Sequence, residues 1–374
     1  MIQETTNLQA NEAAIELLGI DHVEFWVGNA KQAAFYYQHA FGYQLVAYAG
    51  PETGLKDRCS YVMQQNDIRL VLTCPLGPEG PVAEHVKAHG DGVKDVVLRV
   101  KDVPAAYQAL VARGATGLVD PGTTEDAQGR VHRATIATYG DTVHSLINRD
   151  DYAGAFLPGF EARETPKSIP GGLGRIDHIV GNVGWNEMDA TVNFYQRIFG
   201  FHQFVSFDDK DISTEFTALR SVVVASPKEN IKFPINEPAE GKKRSQIEEY
   251  IDFYGGPGVQ HLALTTVDIV ETVTRLKAQG VEFLEPPTAY YEHLVSRLEG
   301  LDFQEDIERL KPLGILVDRD EKGYLLQIFT KPVTDRPTLF YEIIQRKGSD
   351  SFGKGNFKAL FEAIEAEQAR RGTL

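Results

Sequence analysis

Cysteine is scarce in this sequence: two residues in 374, Cys59 and Cys74. Both lie in strand-like stretches without CxxC spacing, which excludes a disulfide framework and a zinc knuckle and leaves two reduced, packed thiols. Long apolar runs are missing too. Nowhere do roughly 18 apolar residues follow one another, so no membrane-spanning helix is expected. The opening stretch MIQETTNLQANEAAIELL carries acids early and no apolar block behind basic residues, so no signal peptide is expected and the expected location is the cytoplasm. Basic residues are in deficit: 38 Lys and Arg against 53 Asp and Glu give a formal charge of −15. That balance disfavours nucleic acid and anionic membrane and leaves a small molecule as the expected partner.

What the chain does have is core-forming material, 42% hydrophobic and 10% aromatic, enough for about two domains. It also repeats itself. Ile20-Asp21-His22-Val23, followed by a helical stretch ending YYQHAFGY, resembles Ile176-Asp177-His178-Ile179, followed by one ending FYQRIFGF. GVKDVVLRVKD (Gly92 to Asp102) matches GVQHLALTTVD (Gly258 to Asp268), and each continues through a helical pattern to a glycine, Gly114 and Gly280. TVHSLINR (Thr142 to Arg149) parallels LFYEIIQR (Leu339 to Arg346). The spacing predicts an α+β protein of two homologous halves, 1–160 and 161–374, each with the pattern βαβββ given twice. Glu161 to Gly172 reads as an exposed linker. The second half is longer between Pro286 and Leu316, where HLVSRLEGLDFQEDIERL reads as inserted helix. After Arg346, Phe357, Leu360, Phe361 and Ile364 recur at helical spacing and predict a terminal helix with no counterpart in the first half.

Duplication supplies an internal control. Three polar residues interrupt strand-like sequence in the second half: His178, His261 and Glu342. Their first-half matches are His22, Asp95 and Ser145, an incomplete set. Taken singly, each histidine reads as a hydrogen-bonded core residue, and Glu342 as a buried ion-pair partner, for instance of Arg346. Together they read as a metal site. Two imidazoles and one carboxylate from three strands suit an open octahedral Fe(II) centre, with positions left for substrate and O2. A divalent cation also makes a buried ionised carboxylate stable, which apolar neighbours such as Phe340 and Ile344 do not. Zinc with a water in its fourth position fits the same donors.

Paired βαβββ units with one His, His, Glu site resemble the vicinal-oxygen-chelate superfamily. Within it, IDHIVGNV (Ile176 to Val183), FPINEP (Phe233 to Pro238), KRSQIEEY (Lys243 to Tyr250), GGPGVQHLAL (Gly255 to Leu264), GYLLQIFTKP (Gly323 to Pro332), LFYEIIQR and FGKGNFKALFEAIE (Phe352 to Glu365) together resemble the 4-hydroxyphenylpyruvate dioxygenase family. The resemblance implies one Fe(II) per chain, held by His178, His261 and Glu342. It implies conversion of 4-hydroxyphenylpyruvate and O2 to homogentisate and CO2, a step of tyrosine catabolism. Each half would curl its strands into an open barrel with outer helices. Only the second would hold metal; the first would serve as scaffold and subunit contact in a homo-oligomer, dimer or tetramer. Ser221, Pro234, Asn236, Gln246 and Gln260 fall in blocks that line the family's substrate cavity. Strand alternation adds Gln327 with Phe329, and Phe340 with Glu342. Phe352, Asn356, Phe357 and Leu360 belong to the terminal lid that the family carries. Ser245 and Glu248 also form a capping-box pattern around Gln246. Two readings compete: 4-hydroxymandelate synthase, which uses the same substrate and triad, and a metal-free binding module of the same fold. No side-chain general base is expected beyond the metal centre.

Overall fold

The computed structural model describes residues 15–163, 170–209 and 213–374. Most of the opening stretch, residues 1–14, and residues 164–169 of the expected linker lie outside the described residues. Among those described, no helix is long and apolar enough to cross a membrane.

The first half supplies β1 (Leu17–Trp26), β2 (Gln44–Ala49), β3 (Arg58–Gln65), β4 (Ile68–Pro75), β5 (Gly92–Val100), β6 (Gly117–Asp126), β7 (Gly129–Ala137) and β8 (Val143–Asn148), joined at one edge by the short β9 (Glu161–Ala162). The second half supplies β10 (Leu173–Asn182), β11 (His202–Phe207), β12 (Ala218–Ala225), β13 (Lys232–Ala239), β14 (Gly258–Thr266), β15 (Leu316–Arg319), β16 (Tyr324–Phe329) and β17 (Phe340–Lys347). The strand orders are β6-β7-β8-β5-β1-β4-β3-β2-β9 and β15-β16-β17-β14-β10-β13-β12-β11. Apart from the edge strand β9, the two sheets are the same strand for strand, and each curls into an open half-barrel. The register repeats as well: His22 faces Val97 and His178 faces Ala263, while Asp95 faces Val143 and His261 faces Phe340. The α+β architecture read from the sequence is the one observed. By its pairing with β2, β9 belongs to the first sheet, two residues beyond the expected boundary.

The local signals that repeat in the sequence repeat in the structure. Asp102 and Asp268 each cap a helix, accepting from the backbone N–H of Ala105 and Glu271. Gly114 and Gly280 follow those helices with φ of +97° and +94°, a backbone conformation in which a side chain is strained. Cys59 and Cys74 are buried free thiols facing each other across β3 and β4. The insertion after Pro286 differs from the expected helix. It breaks into short turns at Ala289–Glu292, Leu294–Arg297 and Ile307–Leu310, and Gly300, with a left-handed φ of +77°, lies between the second and the third.

Each half is locked to the other by reciprocal contacts. Tyr37, on the helix Ala30–Ala40, hydrogen-bonds through its hydroxyl to Tyr341 on β17 at 2.8 Å. Its counterpart Tyr195, at the end of the corresponding second-half helix, meets Nε2 of His144 on β8 at 2.9 Å. The helix of each half packs on its own sheet and sends one tyrosine across to the other half, to β17 or β8. A continuous apolar core runs through both, from Phe25 and Leu72 to Leu262 and Ile343.

Candidate active site

The three polar strand residues of the second half meet at the centre of its sheet. His178 lies on β10, His261 on β14 and Glu342 on β17, three adjacent strands. Ala263 is the register partner of both His178 and Glu342, so only a methyl group stands in the row between them. Glu342 Oε2 lies 3.2 Å from His178 Nε2 and 3.5 Å from His261 Nε2, and the three donor atoms fall within 4.8 Å of one another. Ligands on a first-row cation at about 2.0–2.2 Å, set between a right angle and a tetrahedral angle, span about 2.8–3.6 Å.

Each imidazole is turned by a partner on its other nitrogen. His178 Nδ1 donates to Asp177 Oδ2 at 2.8 Å, and His261 Nδ1 to the Gln260 side-chain carbonyl at 3.0 Å. Both Nε2 atoms are thereby presented to Glu342, the arrangement that orients metal-bound histidines generally. Phe340 stacks on the His261 ring at 4.6 Å, and Phe329 stands edge-on to it at 6.0 Å.

Electrostatics keep Glu342 ionised and His261 neutral, and act on His178 in the opposite direction. Burial alone would raise the Glu342 pKa, but the two facing imidazoles outweigh it and draw it down to about 2. Burial lowers His261, and the carboxylate only partly offsets this, so His261 favours the neutral form. For His178 burial also works downward, but Glu342 and Asp177 together push it up. In the first half the corresponding charge problem is solved from within. Asp95 accepts from Ser145 N and Oγ at 2.8 and 2.5 Å and pairs with Arg133 Nη2 at 2.8 Å. By sheet register the second-half equivalent of Arg133, which faces Ile147, is the neutral Gln327, which faces Ile344. Among the described residues, the ion-pair partners of Glu342 are only the two imidazoles. A buried carboxylate with two neutral-capable imidazoles and no fixed cation at ion-pair distance is a donor set that fits a divalent metal.

A cavity opens over this cluster. Of the residues expected from sequence, Ser221, Pro234, Asn236, Gln246, Gln260 and Gln327 line it, and so do Phe329, Phe340, Phe352, Phe357 and Leu360. Gln246 combines both of its sequence readings: it is the first residue of the helix Gln246–Tyr254, whose capping box is Ser245 with Glu248. Gln327 Oε1 is buried without a hydrogen-bond partner, an acceptor left for a bound molecule. Asn356 is placed differently. It is buried beside the cavity, where its Oδ1 accepts from the Tyr290 hydroxyl at 2.7 Å. Sequence reasoning missed Val180, Leu219, Val223, Phe207 and Phe361. Period-two alternation from His178 and Ser221 marks the first three, and the helical step of four from Phe357 marks Phe361.

The terminal helix, Phe357–Arg371, closes the cavity from outside. Its Glu365 accepts from the hydroxyls of Thr214 and Thr217, Glu367 pairs with Lys331 at 3.1 Å, and Arg371 pairs with Glu249 at 2.9 Å. Phe357 meets Phe207 edge-on at 5.0 Å.

Comparison with known proteins agrees with this architecture. Residues 19–143 and 175–328 match the glyoxalase/bleomycin resistance protein/dioxygenase superfamily. A 4-hydroxyphenylpyruvate dioxygenase of Coccidioides posadasii is 52% identical over 376 residues, covering 95% of this chain and 94% of that protein. One from Dictyostelium discoideum is 49% identical, covering 95% and 100%. Among solved structures, a variant of 4-hydroxymandelate synthase from Streptomyces coelicolor superposes with a TM-score of 0.84 at 34% identity, covering 94% of this chain and 98% of that one. With half its residues shared along nearly its whole length, a doubled fold and, among the described residues, a single His, His, Glu cluster, the chain belongs to the 4-hydroxyphenylpyruvate dioxygenase family of that superfamily.

Proposed function

We propose that the chain binds one Fe(II) through His178 Nε2, His261 Nε2 and Glu342 Oε2 and converts 4-hydroxyphenylpyruvate and O2 to homogentisate and CO2. The observation that carries this reading is the buried carboxylate that lacks a fixed cation, at the floor of a cavity walled by rings and amides. When bound, ferrous iron supplies open positions for an α-keto acid and for O2, and the redox chemistry that joins them. The chain's own residues do the rest. Asp177 and Gln260 hold the imidazoles in the Nδ1–H tautomer. The phenol of the substrate is suited to Ser221, Asn236, Gln246 and Gln327, neutral groups that donate and accept hydrogen bonds without ionising it. Phe329, Phe340, Phe352 and Phe357 enclose an apolar ring and exclude water, with Pro234 and Leu360 completing the wall. Catalysis is placed in the second half; the first, whose Asp95 is neutralised by Arg133, is scaffold. The cytoplasmic location and a dimer or tetramer belong to the same proposal.

The likeness to 4-hydroxymandelate synthase keeps a second product in view, since ring and benzylic hydroxylation of one substrate give isomers. The test is Fe(II) loading under nitrogen, then O2 uptake with 4-hydroxyphenylpyruvate and chromatography against authentic homogentisate and 4-hydroxymandelate. His261→Ala is expected to abolish Fe(II) binding, and Asp95→Ala to leave it intact. Failure to bind iron, or uptake unchanged in Glu342→Ala, would overturn the proposal; 4-hydroxymandelate as product would overturn the choice of reaction.

A further inference from the structure

His178 is the near end of a chain of contacts that runs out of the site and into the start of the lid. Asp177, which accepts from His178 Nδ1, also accepts from Arg346 in a forked pair: Nε to Oδ1 at 3.0 Å and Nη2 to Oδ2 at 2.8 Å. The remaining Arg346 nitrogen, Nη1, donates to the backbone carbonyls of Ser349 at 3.2 Å and Ser351 at 2.7 Å. The guanidinium lies 5.6 Å from the centre of the Phe352 ring, and that ring stands edge-on to His178 at 5.0 Å. One arginine therefore grips the partner of a candidate metal ligand and the segment that leads into the terminal helix.

The first half shows what this arrangement does when no metal site is attached. Arg149 pairs with Asp21 at 3.0 Å, Asp21 accepts from His22 Nδ1 at 2.8 Å, and Arg149 Nη1 donates to the Phe156 carbonyl at 3.2 Å. Phe156 stands edge-on to His22 at 5.0 Å, with Arg149 at 5.5 Å from its ring centre. The chain of contacts is alike, except that Arg149 holds Asp21 by a single bond and Arg69 lies 3.5 Å from its other oxygen, and Ser145 stands at the position of Glu342. As a fold device the contact chain exists in both halves. Its two ends touch a metal ligand and a lid only in the second.

We propose that Arg346 is a positioning residue that couples metal occupancy at His178 to the seating of residues 349–356 and of Phe352 over the cavity. The inference rests on the metal site proposed above. A cation on Nε2 withdraws charge from the ring, strengthens the Nδ1–H donor and tightens its hold on Asp177. Because Asp177 is also the anchor of Arg346, a better-fixed carboxylate fixes the fork, and the fork fixes the two carbonyls. The coupling is reciprocal: a seated segment holds the His178 ring in its binding orientation and raises metal affinity.

The test uses the full chain in three forms, wild type, Arg346→Lys and Arg149→Lys. Fe(II) affinity is measured by anaerobic calorimetry, and amide hydrogen exchange of residues 349–356 is measured with and without Fe(II). Lysine keeps the charge but not the fork. Arg346→Lys is expected to weaken Fe(II) binding by about 10- to 100-fold, and Fe(II) is expected to protect residues 349–356 in wild type and not in this variant. Arg149→Lys alters the corresponding contacts in the first half and is expected to match wild type in both measurements. If Arg346→Lys does not fold, Asp177→Asn, of equal size, carries the same expectation. Equal affinity and equal Fe(II)-induced protection in wild type and Arg346→Lys overturn the coupling alone. A wild-type chain that takes up no Fe(II) overturns the metal site, and the coupling with it.

Discussion

The seating of the terminal helix rests on a buried charge, which makes it open to a sharp test. Arg371 reaches Glu249 with Nη2 at 2.9 and 3.0 Å from its two oxygens, and Nε at 3.3 Å. The Glu249 side chain is 3% exposed and that of Arg371 is 22% exposed. Removing one partner of a fully buried pair costs about 3–5 kcal/mol, because the other charge is left without compensation. Since the guanidinium is partly wet and Thr373 still donates to Glu249, about 2 kcal/mol is the appropriate share for Arg371→Ala. The cost falls on the docked state of the helix, not on the whole fold, so the open population rises by roughly 30-fold at 1.4 kcal/mol per decade. Amide hydrogen exchange across the last two turns of the helix reads this directly, with deprotection of that size expected there and not in β14 or β17. Arg370→Ala is the control: its pair with Glu367 is similar in length, but its side chain is 67% exposed and the pair is worth ~0–1 kcal/mol. Equal exchange in the two variants would refute the reasoning that burial, not pairing, secures the lid.

Two further outcomes follow from the same geometry. His144 is fully enclosed between Val96, Tyr195 and Phe233; burial lowers its pKa to about 4, with the Val96 carbonyl and Asp95 opposing. The unfolded chain, with a pKa near ~6.5, binds the proton first, so this contribution is fully present above that value and is lost as pH falls from ~6.5 towards 4, about 3 kcal/mol in all. Urea denaturation between pH 7 and 4 should show this slope, and His144→Gln should flatten it; an unchanged slope in the variant would sink the assignment. Gln327→Arg should install in the second half the cation that Arg133 provides in the first. Charge repulsion of about 4 kcal/mol per unit charge at 4 Å, at an effective dielectric constant near 20, should weaken Fe(II) binding by more than about 100-fold. Gln327→Leu should still bind Fe(II) in the same titration, and normal Fe(II) binding by Gln327→Arg would count against the charge argument.

The doubled fold and the metal cluster were legible in the sequence for one reason: a polar residue inside a strand is conspicuous, and a repeat shows which of its positions have changed. The cavity was legible where alternation carries a known residue two steps along a strand, as from Glu342 to Phe340. It failed at Asn356, because what that side chain meets is Tyr290, on an insertion with no counterpart in the first half to compare it with. The cross-half contacts of Tyr37 and Tyr195 were hidden for a different reason. Periodicity says which face of a helix is apolar, not which side chain on it reaches past its own sheet to the other half. The Asp177 to Arg346 link stood in the sequence all along, since IDH opens both halves and an amide followed by arginine ends both last strands. Only folding makes those two repeats adjacent.

The two halves give different answers to one physical problem, three polar positions on adjacent strands under an apolar cover. In the first, the carboxylate of Asp95 is satisfied by a hydroxyl, a backbone N–H and Arg133, and Phe156 packs over His22 before the chain returns to pair β9 with β2. Nothing there calls for a metal. In the second, the serine position has become Glu342, the aspartate position His261, and the arginine position a neutral glutamine. The carboxylate has gained two nitrogen neighbours and lost its ion-paired arginine, which leaves it open to a cation from outside. The ring over the histidine is kept, as Phe352, but the chain beyond it no longer returns to the sheet: it runs on into a helix of 15 residues tied down by Glu365, Glu367 and Arg371. Exchange of one internal cation for an external one, together with release of the covering segment from its sheet edge, separates a closed scaffold from a site that can admit a metal and a substrate.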